Sequence, residues 1–188
     1  MSVGMAPELT ATLSVVAASA GLIAFMSSSR RRARRTLLKC MRAISHDFME
    51  RVIIPDGLDG QIEVDFLLLT SRGLLVLDVK EIGGIVFAGT SLDRWAVMDG
   101  SERFNINNPI GPSMARVVAV KRLVPDVPVH GRIVFNDGTD FRGGELPQVV
   151  SLAQLREQFP AAKAAAPDRA IDAFYSEWLK LREATAAA

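Results

Sequence analysis

Residues Gln61 to Lys80 read QIEVDFLLLTSRGLLVLDVK and contain the clearest evidence for the fold of this chain. Two apolar runs flank a Thr-Ser-Arg-Gly segment, and both resemble strands that are covered on two faces of a sheet. The segment between them predicts the turn of a β-hairpin. Because a buried charge is costly unless it is paired or binds a metal, the charged residues in this hairpin need a chemical explanation. They are Glu63, Asp65, Asp78 and Lys80.

The register of the hairpin supplies an explanation. With a turn at residues 71–72, the numbers of facing residues sum to 143, so Asp65 faces Asp78 and Glu63 faces Lys80. Facing residues share one side of the sheet, with Cβ atoms about 4.5–5.5 Å apart. Two carboxylates held together repel and raise each other's pKa, and a divalent cation between them removes the repulsion. Hard cations such as Mg²⁺ prefer oxygen ligands, so the pattern predicts a metal site at Asp65 and Asp78.

The lysine in the same group fits hydrolytic chemistry. An ammonium group can polarise an attacking water or a scissile phosphate and can stabilise negative charge as it develops. A structural interpretation of the hairpin stays open beside this one. In it, Glu63 forms a salt bridge with Lys80, and the two aspartates reach solvent at a sheet edge.

This arrangement resembles the PD-(D/E)xK nuclease superfamily, in which an acid on one strand meets an acid-x-lysine on the next. More narrowly, it resembles the nuclease-related domain family, called NERD. The shared features are an acid-apolar-acid strand, a turn with glycine, an apolar strand ending in acid-x-Lys, a later glycine, a tryptophan and an Asn-Pro step before a helix. Here they are Glu63-Val-Asp65, Gly73, Asp78-Val-Lys80, Gly83-Gly84, Trp95 and Asn108-Pro109, within residues 44–135.

The resemblance implies an α/β fold with a restriction-endonuclease-like core, in which helices flank a mixed central β-sheet. It also implies hydrolysis of phosphodiester bonds in DNA or RNA with Mg²⁺ or Mn²⁺ and no small-molecule cofactor. Asp65 and Asp78 would hold the metal, and Lys80 would assist the nucleophilic water. Glu63 would orient Lys80 or extend the metal shell.

The chain departs from the family pattern in two places. The family carries a glutamate on the first helix, whereas residues 30–38 contain no acid, and a polar residue expected soon after Asn-Pro is replaced by Gly111-Pro112-Ser113. These departures keep a second hypothesis open. In that hypothesis the chain is a nuclease-derived module without turnover, which serves as a membrane-bound interaction or nucleic-acid-docking domain.

A second acid could be mistaken for part of the motif. Pro55-Asp56 lies upstream of Asp78 and satisfies the motif when it is read as text. Proline followed by Asp-Gly is typical of a turn, because proline sets φ and glycine allows a positive φ. Asp65 is therefore the predicted first acid of the site.

The N-terminal segment has the pattern of a membrane anchor. Residues 9–26 carry no charge, and eighteen such residues can span a bilayer. Five arginines follow between Arg30 and Arg35, whereas a signal peptide carries its positive charge before the apolar core. The positive-inside rule then places the C-terminal domain in the cytoplasm. We predict a single-pass cell-membrane anchor over residues 1–29, a basic juxtamembrane helix over 30–43 and a nuclease-related domain with C-terminal helices over 44–188. An amphipathic or buried N-terminal helix is the alternative.

The overall charge of +1 conceals an acidic domain. Fifteen basic and twenty acidic residues follow position 43, which gives that region a net charge of −5. An acidic surface is a poor general platform for DNA, so any contact with nucleic acid must be local. The candidate contacts are Arg94, Arg103, Arg116, Lys121 and Arg122.

The rest of the chain predicts an alternation of strands and helices and no other chemistry. The two histidines have no cysteine or acid at zinc-ligand spacing, and the single cysteine excludes an intrachain disulfide. We expect a helix over 32–45, an antiparallel meander that continues from the hairpin through strands 84–88 and 94–98, a helix from about residue 108 to 123 and a strand over 127–135. A short strand over 148–150 and helices over 151–159 and 168–184 complete the pattern.

Overall fold

The computed structural model describes residues 29–160 and 169–186 of the chain. Contacts divide the chain into two compact units, residues 1–38 and 39–188. The described part of the first unit is helical, and its arginine run, Arg30 to Arg35, is exposed. In chain order the elements are α1 (residues 29–44), β1 (Asp47–Pro55), β2 (Gln61–Thr70), β3 (Gly73–Lys80), β4 (Ile85–Ala88), β5 (Arg94–Asp99), β6 (Glu102–Asn107), α2 (Ile110–Leu123), β7 (Val129–Phe135), β8 (Asp140–Gly143), β9 (Val149–Val150), α3 (Leu152–Gln158) and α4 (Arg169–Ala186).

The larger sheet has five strands in the order β1-β2-β3-β7-β9. Its first three strands are antiparallel, whereas β7 runs parallel to β3 and β9 runs parallel to β7. A parallel pair needs a long crossover connection, and the connection from β3 to β7 contains three strands and α2. The predicted mixed α/β class is confirmed, although the strands form two mixed sheets and not one.

The second sheet has four strands in the order β6-β5-β4-β8. Strands β4, β5 and β6 form an antiparallel meander, and β8 adds to β4 in parallel. The prediction of antiparallel strands at β4 and β5 is confirmed, but both strands belong to this separate sheet and do not continue the sheet of the hairpin. The sequence pattern also missed β6 and β8, whose sequences ERFNIN and DFRG are mostly exposed and so lack the period of a buried face.

The hairpin of β2 and β3 has the predicted register. Leu69 pairs with Leu74, and Phe66 pairs with Leu77, so each pair sums to 143. Gly73 closes the turn with a φ of 109°, and a Cβ atom at this position would lie 2.3 Å from the main-chain oxygen of Pro128. Only glycine adopts this conformation and tolerates this approach without strain.

Helix α2 covers one face of the larger sheet. Leu67 and Val76 of the sheet share a buried cluster with Val120 of the helix. The helix lies close to β7 because Gly131 has no side chain, and a Cβ atom there would lie 2.5 Å from Cγ2 of Val117. The packing at Gly131 therefore determines how closely the side chains of α2 approach the sheet.

Further hydrogen bonds hold the start of α2 and attach α4 to β1. Asn108 accepts a hydrogen bond from the main-chain N–H of Ile110 at 2.9 Å and donates to the oxygen of Leu92 at 2.8 Å. Trp178 of α4 is buried in the same cluster and donates to Oδ2 of Asp47 at 3.0 Å. The apolar side of α4 thus contributes to the core.

The described residues contain no helix that combines the length and the apolarity needed to cross a membrane. The uncharged segment over residues 9–26, which carries the predicted anchor, lies outside the described residues.

Candidate functional site

Asp78 is the one buried charged side chain among the described residues, at 1% exposure. It lies on β3, and side-chain alternation places it on the same face as Leu74 and Val76, under α2. Within the described residues neither of its carboxylate oxygens accepts a hydrogen bond of normal distance and angle, although the Ser113 side chain lies near enough to interact with it. Burial raises the pKa of Asp78, and the Ser113 side chain and the Arg116 guanidinium oppose that rise. Asp78 is therefore a desolvated carboxylate that is only partly compensated.

Arg116 on α2 is the ion-pair partner of this carboxylate. Its Nε atom lies 3.4 Å from Oδ1 of Asp78 and donates a hydrogen bond to the main-chain oxygen of Glu63 at 2.6 Å. The guanidinium thus bridges β2 and β3 at the end of their pairing. The sequence analysis predicted Arg116 only as a candidate contact with nucleic acid. Its ion pair with Asp78 could not be predicted, because no local signal shows where α2 lies over the sheet.

Asp65 lies where β2 and β3 stop pairing. The last ladder pair is Phe66 with Leu77, and beyond it Oδ2 of Asp65 accepts a hydrogen bond from the main-chain N–H of Val79 at 2.8 Å. The carboxylate therefore replaces a main-chain acceptor, which holds it beside Asp78. The negative charge of Asp65 also contributes to the raised pKa of Asp78, so the two carboxylates interact electrostatically.

An irregularity in β2 turns the side chain of Glu63 away from Asp65 and Asp78. Leu67 packs in the cluster under α2, and in a regular strand Asp65 and Glu63 would face the same side. Val64 belongs to that cluster instead, so the alternation reverses between residues 64 and 67. Arg51 in β1, which would pair with Asp65, has a φ of 54° and is skipped in the pairing of the two strands. Such local disruption of a ladder re-aims side chains, as β-bulges do.

Glu63 consequently has a different partner from the predicted one. Its Oε1 atom lies 3.3 Å from Nε of Arg51, and both side chains are largely exposed. The predicted facing pair of Glu63 and Lys80 does not occur, and the ammonium group of Lys80 forms no hydrogen bond or ion pair with the described residues. Lys80 does oppose the raised pKa of Asp78, so its ammonium group acts on that carboxylate. The structure brings together the two aspartates, Lys80 and Arg116 and leaves the Glu63 carboxylate outside.

A protein-family model described as "Nuclease-related domain" matches residues 29–136, more than half of the chain. The match includes Asp65, Asp78, Lys80 and Arg116. The chain belongs to the NERD family. The family resemblance that the strand motifs carry is thereby confirmed, and it is consistent with the PD-(D/E)xK superfamily. No curated protein and no solved structure gives a significant match to this NERD protein.

The two carboxylates of the site are chemically suitable ligands for a divalent cation. The described residues contain no group of three or more histidine, cysteine, aspartate or glutamate side chains that could hold a metal. Mg²⁺ is commonly bound by one or two carboxylates together with waters and substrate phosphates. The carboxylate oxygens of Asp78 that lack hydrogen bonds, with Asp65 beside them, match that kind of site.

The basic residues that were candidates for nucleic-acid contact have separate roles. Nζ of Lys121 donates to the oxygen of Val127 at 2.8 Å, and Nη1 of Arg122 donates to the oxygen of Asp56 at 2.8 Å. Both side chains therefore hold loops against α2. Arg94 and Arg103 are different, because both are exposed on the second sheet.

Asp56 and Trp95 have structural roles, and the interpretation of Asp56 as a turn residue is confirmed. Asp56 lies in the turn between β1 and β2, where its Oδ1 accepts hydrogen bonds from Leu58 N at 2.7 Å and Gly60 N at 3.0 Å. Trp95 is fully buried, and its indole N–H donates to the oxygen of Gly89 at 3.0 Å. Neither residue belongs to the candidate site.

Proposed function

We propose that this NERD protein hydrolyses phosphodiester bonds of DNA or RNA with Mg²⁺ or Mn²⁺ at the site formed by Asp65, Asp78 and Lys80. The observation that carries the proposal is the Asp78 carboxylate, which is buried without a hydrogen bond beside a second carboxylate and a lysine. Replacing a buried ionic group by an apolar residue is often neutral or stabilising, so stability alone gives little reason for this carboxylate. Membership of the NERD family supports the same reaction class.

Each residue has a role that follows from its surroundings. Asp65 and Asp78 would hold the cation, which when bound would supply positive charge against the charge that develops on the scissile phosphate. The main-chain N–H of Val79 holds the Asp65 carboxylate in place, so one ligand is preorganised. The ammonium group of Lys80 would orient the attacking water or stabilise the phosphate oxygens.

Cleavage assays with the full chain test the proposal. Labelled single-stranded and double-stranded DNA and RNA are incubated with Mg²⁺, Mn²⁺ or a chelator. We expect cleavage that depends on the divalent ion and falls by about a hundredfold or more in Asp78→Asn and Lys80→Met, as on loss of other electrostatic contributors.

Glu63→Gln is the matched control. It removes a carboxylate from the same strand, but this side chain pairs with Arg51 and lies outside the site. We expect this variant to cleave at nearly the normal rate. If the folded wild-type protein cleaves none of the substrates with either ion, the proposal is wrong.

A second candidate function is a nuclease-fold module without turnover, which binds nucleic acid or another partner at the membrane. The ion pair of Arg116 with Asp78 favours it, because the guanidinium already compensates part of the carboxylate charge. Calorimetry of the full chain with Mg²⁺ or Mn²⁺ separates the two candidates. Binding that disappears in Asp65→Asn supports hydrolysis, whereas a protein that binds neither ion supports the module.

The proposed location is the cell membrane, with residues 1–29 as a single-pass anchor and the nuclease-related domain in the cytoplasm. The support is the uncharged segment over residues 9–26 and the exposed arginine run that follows it on α1. Fractionation of expressing cells should recover the full chain in membranes, and protease added outside the cell should leave the domain intact. Recovery in the supernatant would contradict this location.

A further inference from the structure

The second sheet has one packed face and one open face. Trp95 and Val97 of β5 are fully buried, whereas Arg94 and Met98 of the same strand are exposed. In β4, Phe87 is 44% exposed between two buried neighbours. Because successive side chains point to opposite faces of a strand, the exposed positions share one face. We call it the outer face, and its defining residues are Phe87, Arg94, Met98, Arg103, Asn105 and Arg142.

The strand register places an open aromatic ring in the middle of this face. Phe87 pairs with Arg142 on one side and with Ala96 on the other, and Ala96 pairs with Asn105. Neighbouring strands lie about 4.8 Å apart, so this row of four residues spans about 14 Å. The small side chain of Ala96 leaves one side of the Phe87 ring uncrowded. A flat group such as a nucleobase has room to stack there.

The outer face carries an excess of positive charge in an acidic domain. The guanidinium groups of Arg94 and Arg103 form no ion pair and no hydrogen bond within the described parts of the chain. Arg142 pairs with Asp140 on the same face, with their N and O atoms 2.6 Å apart and both side chains exposed. The outer face therefore carries three arginines and one aspartate, although the region after residue 43 has a net charge of −5. This local reversal of charge complements a phosphate backbone.

The outer face begins close to the candidate catalytic site. Ile85, the first residue of β4, follows Lys80 by five residues. Five residues of extended chain span at most about 18 Å. With about 3.4 Å per nucleotide along a stacked strand, roughly five nucleotides bridge that distance. The backbone at the start of the outer face therefore lies within about 18 Å of the Lys80 backbone.

We propose that the outer face of the second sheet binds single-stranded nucleic acid, with a base stacked on Phe87 and phosphates paired with Arg94, Arg103 and Arg142. Aromatic side chains on an open sheet, together with arginines, are a common means of binding single strands without reading their sequence. A duplex keeps its bases stacked inside, so the ring favours a single strand. The inference rests on the proposed function for its choice of nucleic acid, but the binding itself needs no divalent ion.

Fluorescence anisotropy with a labelled oligothymidylate, its RNA counterpart and a duplex tests the inference on the full chain, in chelator so that no cleavage occurs. We expect Phe87→Ala to weaken single-strand binding by about tenfold, and Phe87→Tyr to retain it. The double variant Arg94→Gln/Arg103→Gln should weaken binding and lower the slope of log affinity against log salt by about 1.4. Lys180→Gln, which removes an exposed charge on α4, should leave binding unchanged.

Several results would overturn the inference. The first is that the wild-type protein binds neither single strand. The second is that it binds the duplex as tightly as the single strand or more tightly. The third is that the affinity for the single strand is unchanged in both Phe87→Ala and the arginine double variant. Association of the protein with itself that Phe87→Ala abolishes, without single-strand binding, would assign the outer face to a second copy. Single-strand binding that depends on Phe87, without cleavage by the wild-type protein with either ion, would refute the proposed hydrolysis alone. Cleavage that depends on a divalent ion, with single-strand binding that is unchanged in both the Phe87→Ala and the arginine double variant, would refute the docking face alone.

Discussion

Replacing Arg116 with methionine should destabilise the protein at neutral pH, because it leaves the Asp78 carboxylate without its ion-pair partner. The two side chains differ in burial, since Asp78 is 1% exposed and Arg116 is 20% exposed. Methionine retains much of the apolar stem of arginine and removes the guanidinium. The substitution therefore tests the charge more than the packing.

The magnitude follows from the distances. Two unit charges 3.4 Å apart attract by about 5 kcal/mol at an effective dielectric constant of 20, and desolvation of the guanidinium offsets part of that. The hydrogen bond from Arg116 to the oxygen of Glu63, at 2.6 Å, contributes about 1.5 kcal/mol. Removing one partner of a buried pair typically costs about 3–5 kcal/mol. Because Arg116 is partly exposed, we expect a loss of about 3 kcal/mol in the free energy of unfolding.

The loss should depend on pH. Burial raises the pKa of Asp78 above its ordinary value of 3.8, and removal of Arg116 raises it further. The folded state then binds this proton more tightly than the unfolded chain, so the free energy of unfolding falls as pH rises from the unfolded pKa through the folded pKa. Acidification toward about pH 4 should therefore restore part of the stability that Arg116→Met loses.

Urea unfolding at neutral and acidic pH measures this loss. Trp95 and Trp178 are both fully buried, so their fluorescence reports unfolding. The double variant Asp78→Asn/Arg116→Met, which has no buried charge at this position, should recover most of the stability.

Arg122→Met is the matched control on the same helix. Arg122 donates one hydrogen bond to a main-chain oxygen and is not paired with a buried carboxylate. Its replacement should cost about 1 kcal/mol at either pH. If Arg116→Met costs no more than this control, or if its loss is the same at both pH values, Arg116 does not compensate the buried charge of Asp78.

Three changes test the packing that positions the site, by the same urea assay. Gly131→Ala forces a Cβ atom to 2.5 Å from a methyl group of α2 and should lower the free energy of unfolding by about 1–3 kcal/mol. Gly111 is the control, because it is exposed and a Cβ atom there would have no atom within 4 Å, so Gly111→Ala should raise the free energy of unfolding by about 0.5 kcal/mol. Asn108→Ala should cost about 1–2 kcal/mol, and Asn108→Asp, which keeps the acceptor oxygen, should cost less. Gly73→Ala should cost more than about 1 kcal/mol, because φ is 109° and the oxygen of Pro128 would lie 2.3 Å from Cβ.

Much of the candidate site could be predicted because its origin is local. The length of the turn and the two-residue period of a strand determine the hairpin register, and the pairing of Phe66 with Leu77 agrees with it. The same register carries Asp65 and Asp78 to the end of the ladder. The charged residues could be singled out because each interrupts an apolar run.

The rest of the site depends on contacts between distant segments. The reversal in β2 involves Arg51 on a neighbouring strand, so local periodicity places Glu63 on the wrong side of the sheet. Arg116 reaches Asp78 only because α2 lies close to the sheet over Gly131. Neither contact leaves a pattern in the residues next to the site.

The amino-acid sequence is enough to predict the α/β class, the hairpin with its two acids and lysine, and the likeness to the NERD family, because periodicity and turn chemistry act over a few residues. Two features depend on the tertiary structure. Arg116, and not Glu63, lies beside the two aspartates, with its ion pair to Asp78. The polar strands β6 and β8 complete a second sheet with an arginine-rich outer face. Both outcomes follow from packing between segments far apart in the chain, where burial and charge pairing override local pattern.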